Sequence, residues 1–179
     1  TLQWRYVFLT GAIIGAGLLN KSIADYSLIL LPFSLILFDF KKRQIKKRLL
    51  TWGMMAGIAV LIAKGIEALM RLSPFYYIVG QKNNTFIYSF SEWFQDPFAH
   101  VIGNTLGMSK WLLDYFPIPL FVCILLVFLL FKKFLKEKLL LFIWFIVPFA
   151  SLAFFGKVLY PRYLFFMSIP LLILAGYGL

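Results

Sequence analysis

One short stretch of this chain carries the clearest combination of residues for anion chemistry. Between two apolar runs, residues 156–163 hold two cations, two tyrosines and a proline. Pro161 suits the first turn of a helix, which predicts that Arg162 lies in the first turn of the helix that follows. A guanidinium there can bind a phosphate bidentately, aided by the positive end of the helix. We interpret Arg162 as an anion ligand accompanied by Lys157 and Tyr163, although tyrosines also suit the aromatic belt at a membrane interface.

Two further groups of charges are candidates for the same chemistry. Lys64, Glu67 and Arg71 have the spacing i, i+3, i+7, which places them on one stripe of a helix. They either pair with one another while their ends reach the membrane interface, or contribute to an anion site. Lys21, with Asp25 close by, is either an interfacial lysine in a capped turn or a phosphate contact.

The elements that must position these residues are membrane-spanning helices. Hydrophobic residues make up 62% of the 179 residues and charged residues only 14%, against about 45–50% and about 25% in soluble domains. This composition excludes a soluble globular enzyme, a disordered tail and a disulfide scaffold. Crossing the hydrocarbon core takes about 20 apolar residues in a helix. The apolar runs cover about 6–20, 22–38, 49–70, 116–131, 139–155 and 163–179.

We therefore predict an all-α, polytopic transmembrane helix bundle of about six spans, forming a single domain over 1–179. The run 116–131 is short and is expected to borrow Leu112 and Leu113. The connection 72–116 is predicted to be a long outer loop with short interfacial helices, among them an amphipathic helix over 98–116.

The formal net charge of +11 is explained mainly by topology. Its basic residues concentrate in two connections, 41–48 and 132–138, which the positive-inside rule places in the cytoplasm. The loop 72–116 then faces outward. An RNA-binding patch at 41–48 is the competing interpretation, but topology accounts for the charge without nucleic acid. We expect an integral, multi-pass protein of a prokaryotic plasma membrane, with membrane lipids as partners.

Small residues and capping patterns predict local structure. G-x-x-x-G motifs at Gly11–Gly15 and Gly53–Gly57 predict close helix packing in lipid. The spacing of Ser22 and Asp25 resembles a capping box and predicts the start of the second helix. Ser91-Glu92 predicts a capped turn in the outer loop.

The order of these features resembles membrane glycosyltransferases of the GT-C type. The stretch from Gly11 to Pro32, GAIIGAGLLNKSIADYSLILLP, resembles a helical hairpin of the bacterial relatives of protein O-mannosyltransferases and of the lipid A aminoarabinose transferase. The end of the chain, YPRYLFFMSIPLLILAGYGL from Tyr160, is similar to the hairpin near the close of their membrane domain. The Arg71 to Pro74 turn and the Glu92 region match more loosely. The resemblance covers nearly the whole chain.

This resemblance implies transfer of a sugar from a polyprenyl-phosphate carrier to an acceptor on the outer face. Lys21 corresponds to the lysine of the first hairpin, and Arg162 to an arginine that suits the carrier phosphate, with Tyr163 completing that match. In such enzymes the catalytic acid/base is usually an Asp in a first outer loop, a region that this chain lacks. Because the chain starts at Thr1 and stops in an apolar run, we expect the later part of a membrane domain, inactive alone.

The catalytic residues remain unknown from the sequence. Glu92, Asp96 and Asp114 include candidates for a general base, but no spacing singles one out. The single histidine, His100, and the single cysteine, Cys123, do not suggest a metal site. The sequence identifies no cofactor with certainty, and a divalent cation stays an open alternative.

Two other functions stay open. A multi-pass transporter or lipid flippase would line its substrate path with the outer charges, and it predicts internal repeats and broken helices. A non-catalytic membrane scaffold is the third. The sequence contains no P-loop, G-x-G-x-x-G, H-E-x-x-H or G-x-S-x-G motif, so an ATPase, dehydrogenase, zinc protease or serine hydrolase is not supported.

Overall fold

The fold is all-α, as predicted. The computed structural model describes residues 3–20, 22–41, 43–130 and 133–177, so Lys21 lies outside the described residues. The chain is 83% helical, and the described ranges contain no strand beyond one isolated β-bridge. The chain forms two compact units, Thr1–Tyr77 and Ile78–Leu179.

The first unit contains three α-helices linked by 3-10 turns. The α-helices are α1 (Trp4–Asn20), α2 (Asp25–Leu30) and α3 (Ile45–Ala68). The 3-10 helices are Ser22–Ala24, Pro32–Leu37 and Leu69–Leu72. The run 22–38 is thus not the single short helix that we predicted. Pro32 opens a 3-10 helix directly after α2, because proline has no N–H to continue the α-helical hydrogen bonds.

α2 does not begin at Ser22, where the capping pattern predicted its start. The N-cap is Ala24, without a side-chain hydrogen bond. Asp25 instead accepts a hydrogen bond from Lys64 Nζ of α3 at 2.7 Å. The segment 22–38 also contacts α3 at Trp52, whose Nε1–H donates to Ser34 Oγ at 3.1 Å. Long-range polar contacts therefore hold this segment where local capping does not.

Close packing of α1 on α3 depends on glycine. A Cβ built on Gly11 would lie 2.8 Å from Ile62 Cβ and 2.9 Å from the Ala59 carbonyl oxygen. A Cβ on Gly15 would lie 2.8 Å from Ile66 Cβ. The contact predicted from this motif is confirmed.

The second glycine motif behaves differently. Gly53 and Gly57 are exposed on α3, and a Cβ on either would meet nothing within 4 Å among the described residues. The prediction that this motif packs against another helix is not supported within the first unit. Its glycines lie on the face of α3 opposite to the buried Met55 and Ala59 of the α1 contact.

The second unit contains the remaining α-helices of the described chain. They are α4 (Tyr76–Phe86, which begins at the junction), α5 (Phe90–Gln95), α6 (Val101–Tyr115), α7 (Ile118–Leu130), α8 (Leu135–Phe155) and α9 (Leu164–Tyr177). A 3-10 helix, Pro161–Tyr163, precedes α9. The predicted outer loop 72–116 is therefore mostly helical, as expected, and α6 supplies the helix predicted over 98–116.

The run 116–131 does not extend backwards as a straight helix. The axes of α6 and α7 meet at 101°, so Leu112 and Leu113 belong to a different helix from the apolar run. Phe116 is extended at φ −120° and ψ 120°, and a residue before proline avoids the helical region. Pro117 thus sets the bend.

The core of the second unit joins α6, α7, α8 and α9. Its fully or nearly fully buried side chains include Met108, Leu164, Met167 and Leu174. Lys138, expected in an exposed basic cluster, is also buried, with only 2% of its surface exposed.

Lys138 is buried because the end of α7 offers it partners. Its Nζ donates to the Val127 carbonyl at 3.0 Å and lies 5.9 Å from the ring centroids of Phe128 and Tyr177. A cation is favourable at a helix C-terminus, where the last carbonyls lack intrahelical donors.

Among the described residues, two helical segments are long and apolar enough to cross a membrane. They are Ile45–Leu72 and Leu135–Phe155, and the bent pair α6 and α7 is a third if it counts as one span. By length alone, α7 with its 13 residues reaches about 20 Å at about 1.5 Å per residue. That is short of the roughly 30 Å hydrocarbon core. Fewer helices satisfy the length criterion than the six predicted.

Replacing Gly11 with alanine should destabilise the first unit. The added Cβ would force apart α1 and the backbone of α3, and such overpacking costs about 1–3 kcal/mol. Gly53→Ala is the matched control, since its site is open and alanine is favoured over glycine in helices by roughly 0.5–1 kcal/mol. Thermal unfolding of the purified variants in detergent measures both. Equal losses in the two variants would contradict the packing role of Gly11.

Candidate functional site

The end of α8 and the segment 86–88 pair with each other. The Tyr88 N–H donates to the Phe155 carbonyl at 2.9 Å, and the Lys157 N–H donates to the Phe86 carbonyl at 2.9 Å. Ile87 and Gly156 form an antiparallel bridge. This pairing brings together two segments that are about 70 residues apart in the chain.

Asn104 of α6 fixes the same place from another side. Its Nδ2 donates to the carbonyls of Gly156 at 2.8 Å and Ala153 at 3.1 Å, and it lies 3.5 Å from the Leu152 carbonyl oxygen. The last carbonyls of a helix lack intrahelical donors, so the Asn104 amide completes the end of α8. Sequence patterns did not single out Asn104, whose only signal was an amide within an apolar helix.

Glycine is required at position 156. A Cβ there would collide with the Leu159 side chain and the Leu152 carbonyl. The loop that carries Lys157 can therefore turn directly under the end of α8.

Glu92 joins this surface through Lys157. Lys157 Nζ lies 2.9 Å from Glu92 Oε1 and 5.3 Å from the centroid of the Tyr88 ring. Glu92 also completes a capping box at the start of α5. The Ser89 N–H donates to Glu92 Oε2 at 2.9 Å, and the Glu92 N–H donates to Ser89 Oγ at 3.3 Å.

The capping serine is thus Ser89 rather than Ser91. Ser89 and Glu92 have the S-x-x-E spacing of a capping box, so the signal was present in the sequence. Ser91 makes only a 3.1 Å hydroxyl contact with Ser89.

These contacts hold Glu92 in its ionised form. The hydrogen bond from Lys157, followed by those from the backbone and side chain of Ser89, lowers the pKa of Glu92 from 4.5 to about 2. A carboxylate with so low a pKa is a weak proton acceptor at neutral pH. Of the candidate bases, Glu92 is therefore the one least suited to that role.

Arg162 is held by aromatic faces rather than by a carboxylate. Its guanidinium carbon lies 4.7 Å from the centroid of Tyr160 and 5.8 Å from that of Tyr163. The two tyrosine rings are edge-to-face at 6.0 Å. Arg162 lies in the 3-10 helix that begins at Pro161, just before α9 rather than within its first turn.

The Arg162 charge is exposed, and it forms no ion pair in the part of the chain that the structure describes. The ring of Tyr160 contacts Phe86 at 6.0 Å, and the Phe86 carbonyl accepts from Lys157. Tyr160 and Lys157 therefore both contact Phe86. We call Arg162, Lys157, Tyr160 and Tyr163 together the Arg162 surface.

The remaining predicted site residues lie in the first unit. Lys64 Nζ contacts Asp25 Oδ1 and Glu67 Oε2, both at 2.7 Å, so Lys64 and Glu67 of the predicted stripe pair with each other. Arg71 is exposed in the 3-10 helix Leu69–Leu72 and takes part in none of the ion pairs seen among the described residues. Lys21 lies outside the described residues.

The lone histidine has an aromatic partner. The His100 ring stacks on Tyr88 with centroids 4.9 Å apart and planes 9° apart. Within the described ranges, no group of three or more His, Cys, Asp or Glu residues is placed to hold a metal ion.

Comparison with family models, curated proteins and solved structures finds no match for this chain. Function must therefore be inferred from the side chains and their geometry.

The thermal unfolding midpoint of the protein should fall as the pH drops below 4.5, because Glu92 becomes protonated. Its folded pKa of about 2 is below the ordinary 4.5, so the ionised carboxylate stabilises the fold fully above pH 4.5. That contribution is lost as the pH falls from 4.5 toward 2. In Glu92→Gln the unfolding midpoint should drop less over this window than in the wild type.

The matched control is Glu137→Gln, an exposed position at the start of α8, which should keep the wild-type drop. Thermal unfolding across the window measures all three proteins. An identical drop in wild type and Glu92→Gln would contradict the assigned role of the Glu92–Lys157 pair.

Proposed function

We propose that this chain forms part of a multi-pass membrane glycosyltransferase of the GT-C type. It would take a sugar from a polyprenyl-phosphate donor and transfer it to an acceptor on the extracytoplasmic face. The observation that carries the proposal is the exposed Arg162 guanidinium, held between Tyr160 and Tyr163 at the start of an apolar helix. Lys157 flanks the same segment.

The chemistry of the donor suits this arrangement. When the sugar leaves, the lipid phosphate gains negative charge, and fixed cations stabilise that charge in the transition state. Arginine matches the geometry of phosphate oxygens bidentately, whereas Lys157 supplies a point charge that is partly committed to Glu92. Tyrosines suit the membrane interface, where a lipid phosphate lies.

The topology that accompanies this proposal has six crossings in a prokaryotic plasma membrane. The basic connections 41–48 and 132–138 would be cytoplasmic and the Arg162 surface extracytoplasmic. Two helices of sufficient length support membrane insertion. The shorter apolar helices would cross with help from snorkelling lysines and local thinning of the bilayer.

The chain would supply the donor-phosphate side of the reaction. The resemblance to GT-C enzymes assigns the catalytic carboxylate to a first outer loop, and we assign no residue of this chain to that role. Glu92 is engaged by Lys157 and Ser89, so we do not assign it as the base that activates the acceptor.

Transfer of a labelled sugar by the complete protein tests the proposal. The protein in its complete natural form is reconstituted in proteoliposomes and offered polyprenyl-phosphate sugars with different sugar groups. We expect release of the lipid phosphate coupled to formation of a glycosylated acceptor. Absence of sugar transfer across a broad donor panel would overturn the proposal.

Arg162→Ala should weaken donor binding without preventing membrane insertion. Loss of charge-assisted hydrogen bonds of this kind reduces affinity by about 10- to 100-fold. Arg162→Lys should recover part of the affinity, since it keeps the charge but loses bidentate geometry. Binding of a fluorescent polyprenyl phosphate to nanodisc-embedded protein measures the effect.

Lys110→Ala is the matched control for Arg162→Ala. Lys110 is an exposed cation on α6 of the same unit, outside the Arg162 surface. We expect its donor affinity to equal that of the wild type. Unchanged affinity in Arg162→Ala, or an equal loss in Lys110→Ala, would remove Arg162 from the donor site.

A transporter or lipid flippase is the second candidate, and helix interruptions favour it. The α6 and α7 axes bend by 101°, and the segment 22–37 is broken into short helices. Broken helices are typical of transporter substrate sites. In the same proteoliposomes, a flippase would move the intact lipid-linked sugar across the bilayer without cleaving it, whereas the transferase would cleave it.

A further inference from the structure

A cavity of about 350 Å³ lies beside the Glu92–Lys157 pair in the second unit. Its size falls at the lower end of the range for small-molecule sites, about 300–1,000 Å³. Four of its walls are aromatic: Tyr88, Trp93, His100 and Phe154. Rings on several sides and a few polar groups are the usual composition of a ligand pocket.

The cavity contains polar groups that are not already engaged. Glu92 is bound by Lys157 and Ser89. Asp96 and Gln95 also line the cavity and are exposed, and neither side chain has a hydrogen-bond or ion-pair partner in the described part of the chain. The pocket therefore offers a ligand one carboxylate, which only accepts hydrogen bonds, and one amide, which both donates and accepts.

The charges around the cavity disfavour an anion more than a cation. An anion would face the Asp96 carboxylate, which has no cation committed to it. A cation would pair with Asp96 but would also approach Lys157, whose ammonium contacts two of the walls, Glu92 and the face of Tyr88. The Tyr88 ring is also stacked against His100, so it is not free to form a cation–π cage.

A neutral ligand rich in hydroxyl groups satisfies these conditions. Hydroxyls can donate to Asp96 in charge-assisted hydrogen bonds and exchange hydrogen bonds with Gln95. The apolar face of a saturated ring can pack on aromatic walls. In addition, the indole N–H of Trp93 is buried and has no acceptor among the described residues. A buried donor without an acceptor is unfavourable, so an acceptor oxygen from a ligand would stabilise this N–H.

We propose that this cavity binds a neutral pyranose ring, with Asp96 and Gln95 as the residues that engage its hydroxyls. The inference deepens the proposed function and rests on it for the source of the sugar, since Lys157 belongs to the Arg162 surface and its ammonium contacts two walls of the cavity.

Saturation-transfer NMR on the complete protein in nanodiscs tests the inference. The probes are methyl α-glucopyranoside as the neutral ring, choline as the cation and glycerol 3-phosphate as the anion. We expect transfer to the pyranoside alone. Asp96→Ala should weaken pyranoside binding by about 10-fold or more, because it removes charge-assisted hydrogen bonds.

Glu137→Ala is the matched control, since it removes an exposed carboxylate outside the cavity and should leave pyranoside binding unchanged. Asp96→Asn, which keeps the size and hydrogen-bonding capacity of the side chain, should bind with intermediate affinity. Preferential binding of choline or glycerol 3-phosphate would overturn the inference. So would the absence of pyranoside binding, or an Asp96→Ala variant that binds as well as the wild type.

The same preparation separates the two proposals. Fluorescent polyprenyl phosphate reports on the Arg162 surface in the absence of any sugar. Pyranoside binding without polyprenyl-phosphate binding would support the cavity and count against the donor site. The reverse result would keep the donor site and overturn the cavity.

Discussion

The unfinished hydrogen bonding at the C-terminal end of α8 is the constraint that organises the second unit. A helix leaves its last carbonyls without donors, and an apolar chain offers few polar groups to satisfy them. Here the Asn104 amide donates to the Ala153 and Gly156 carbonyls, and the segment 86–88 contributes the Tyr88 N–H. Because both donors come from distant parts of the chain, the loop at Lys157 is fixed in relation to α5 and α6. The candidate site follows from that placement.

Four cationic side chains of the protein differ in the kind of partner that they contact. Lys64 is held by two carboxylates, and Lys138 by a helix end and two rings. Lys157 is shared between Glu92 and the Tyr88 ring. Arg162 differs because its partners are aromatic faces, which orient a guanidinium without neutralising its charge. Such a cation keeps its capacity to bind an anion, which is why Arg162 carries the functional proposal.

Sequence patterns predicted the features that depend on local spacing and composition. The all-α fold and the Gly11 contact follow from apolar periodicity and from small residues, which need no knowledge of distant partners. The continuity of 22–38 was mispredicted because composition outweighed Pro32, a single residue that ends a helix by geometry. The close helix contact predicted at Gly53 is not seen among the described residues, because a motif of small residues permits close packing without specifying a partner. Asn104 could not be predicted, since its role exists only once the end of α8 is placed beside α6.

The difference between local and long-range contacts explains why only part of the candidate site could be predicted from the sequence. Arg162 and its tyrosines are adjacent along the chain, so their association is encoded locally and could be proposed from eight residues. The cavity combines residues 88–100 with Phe154, and it depends on the pairing of 86–88 with 155–157. Lys157 links the two, since its backbone takes part in the pairing and its side chain reaches the cavity wall. A change that disturbed the end of α8 would therefore alter the cavity more than the Arg162–tyrosine contacts, which Pro161 and the start of α9 hold independently.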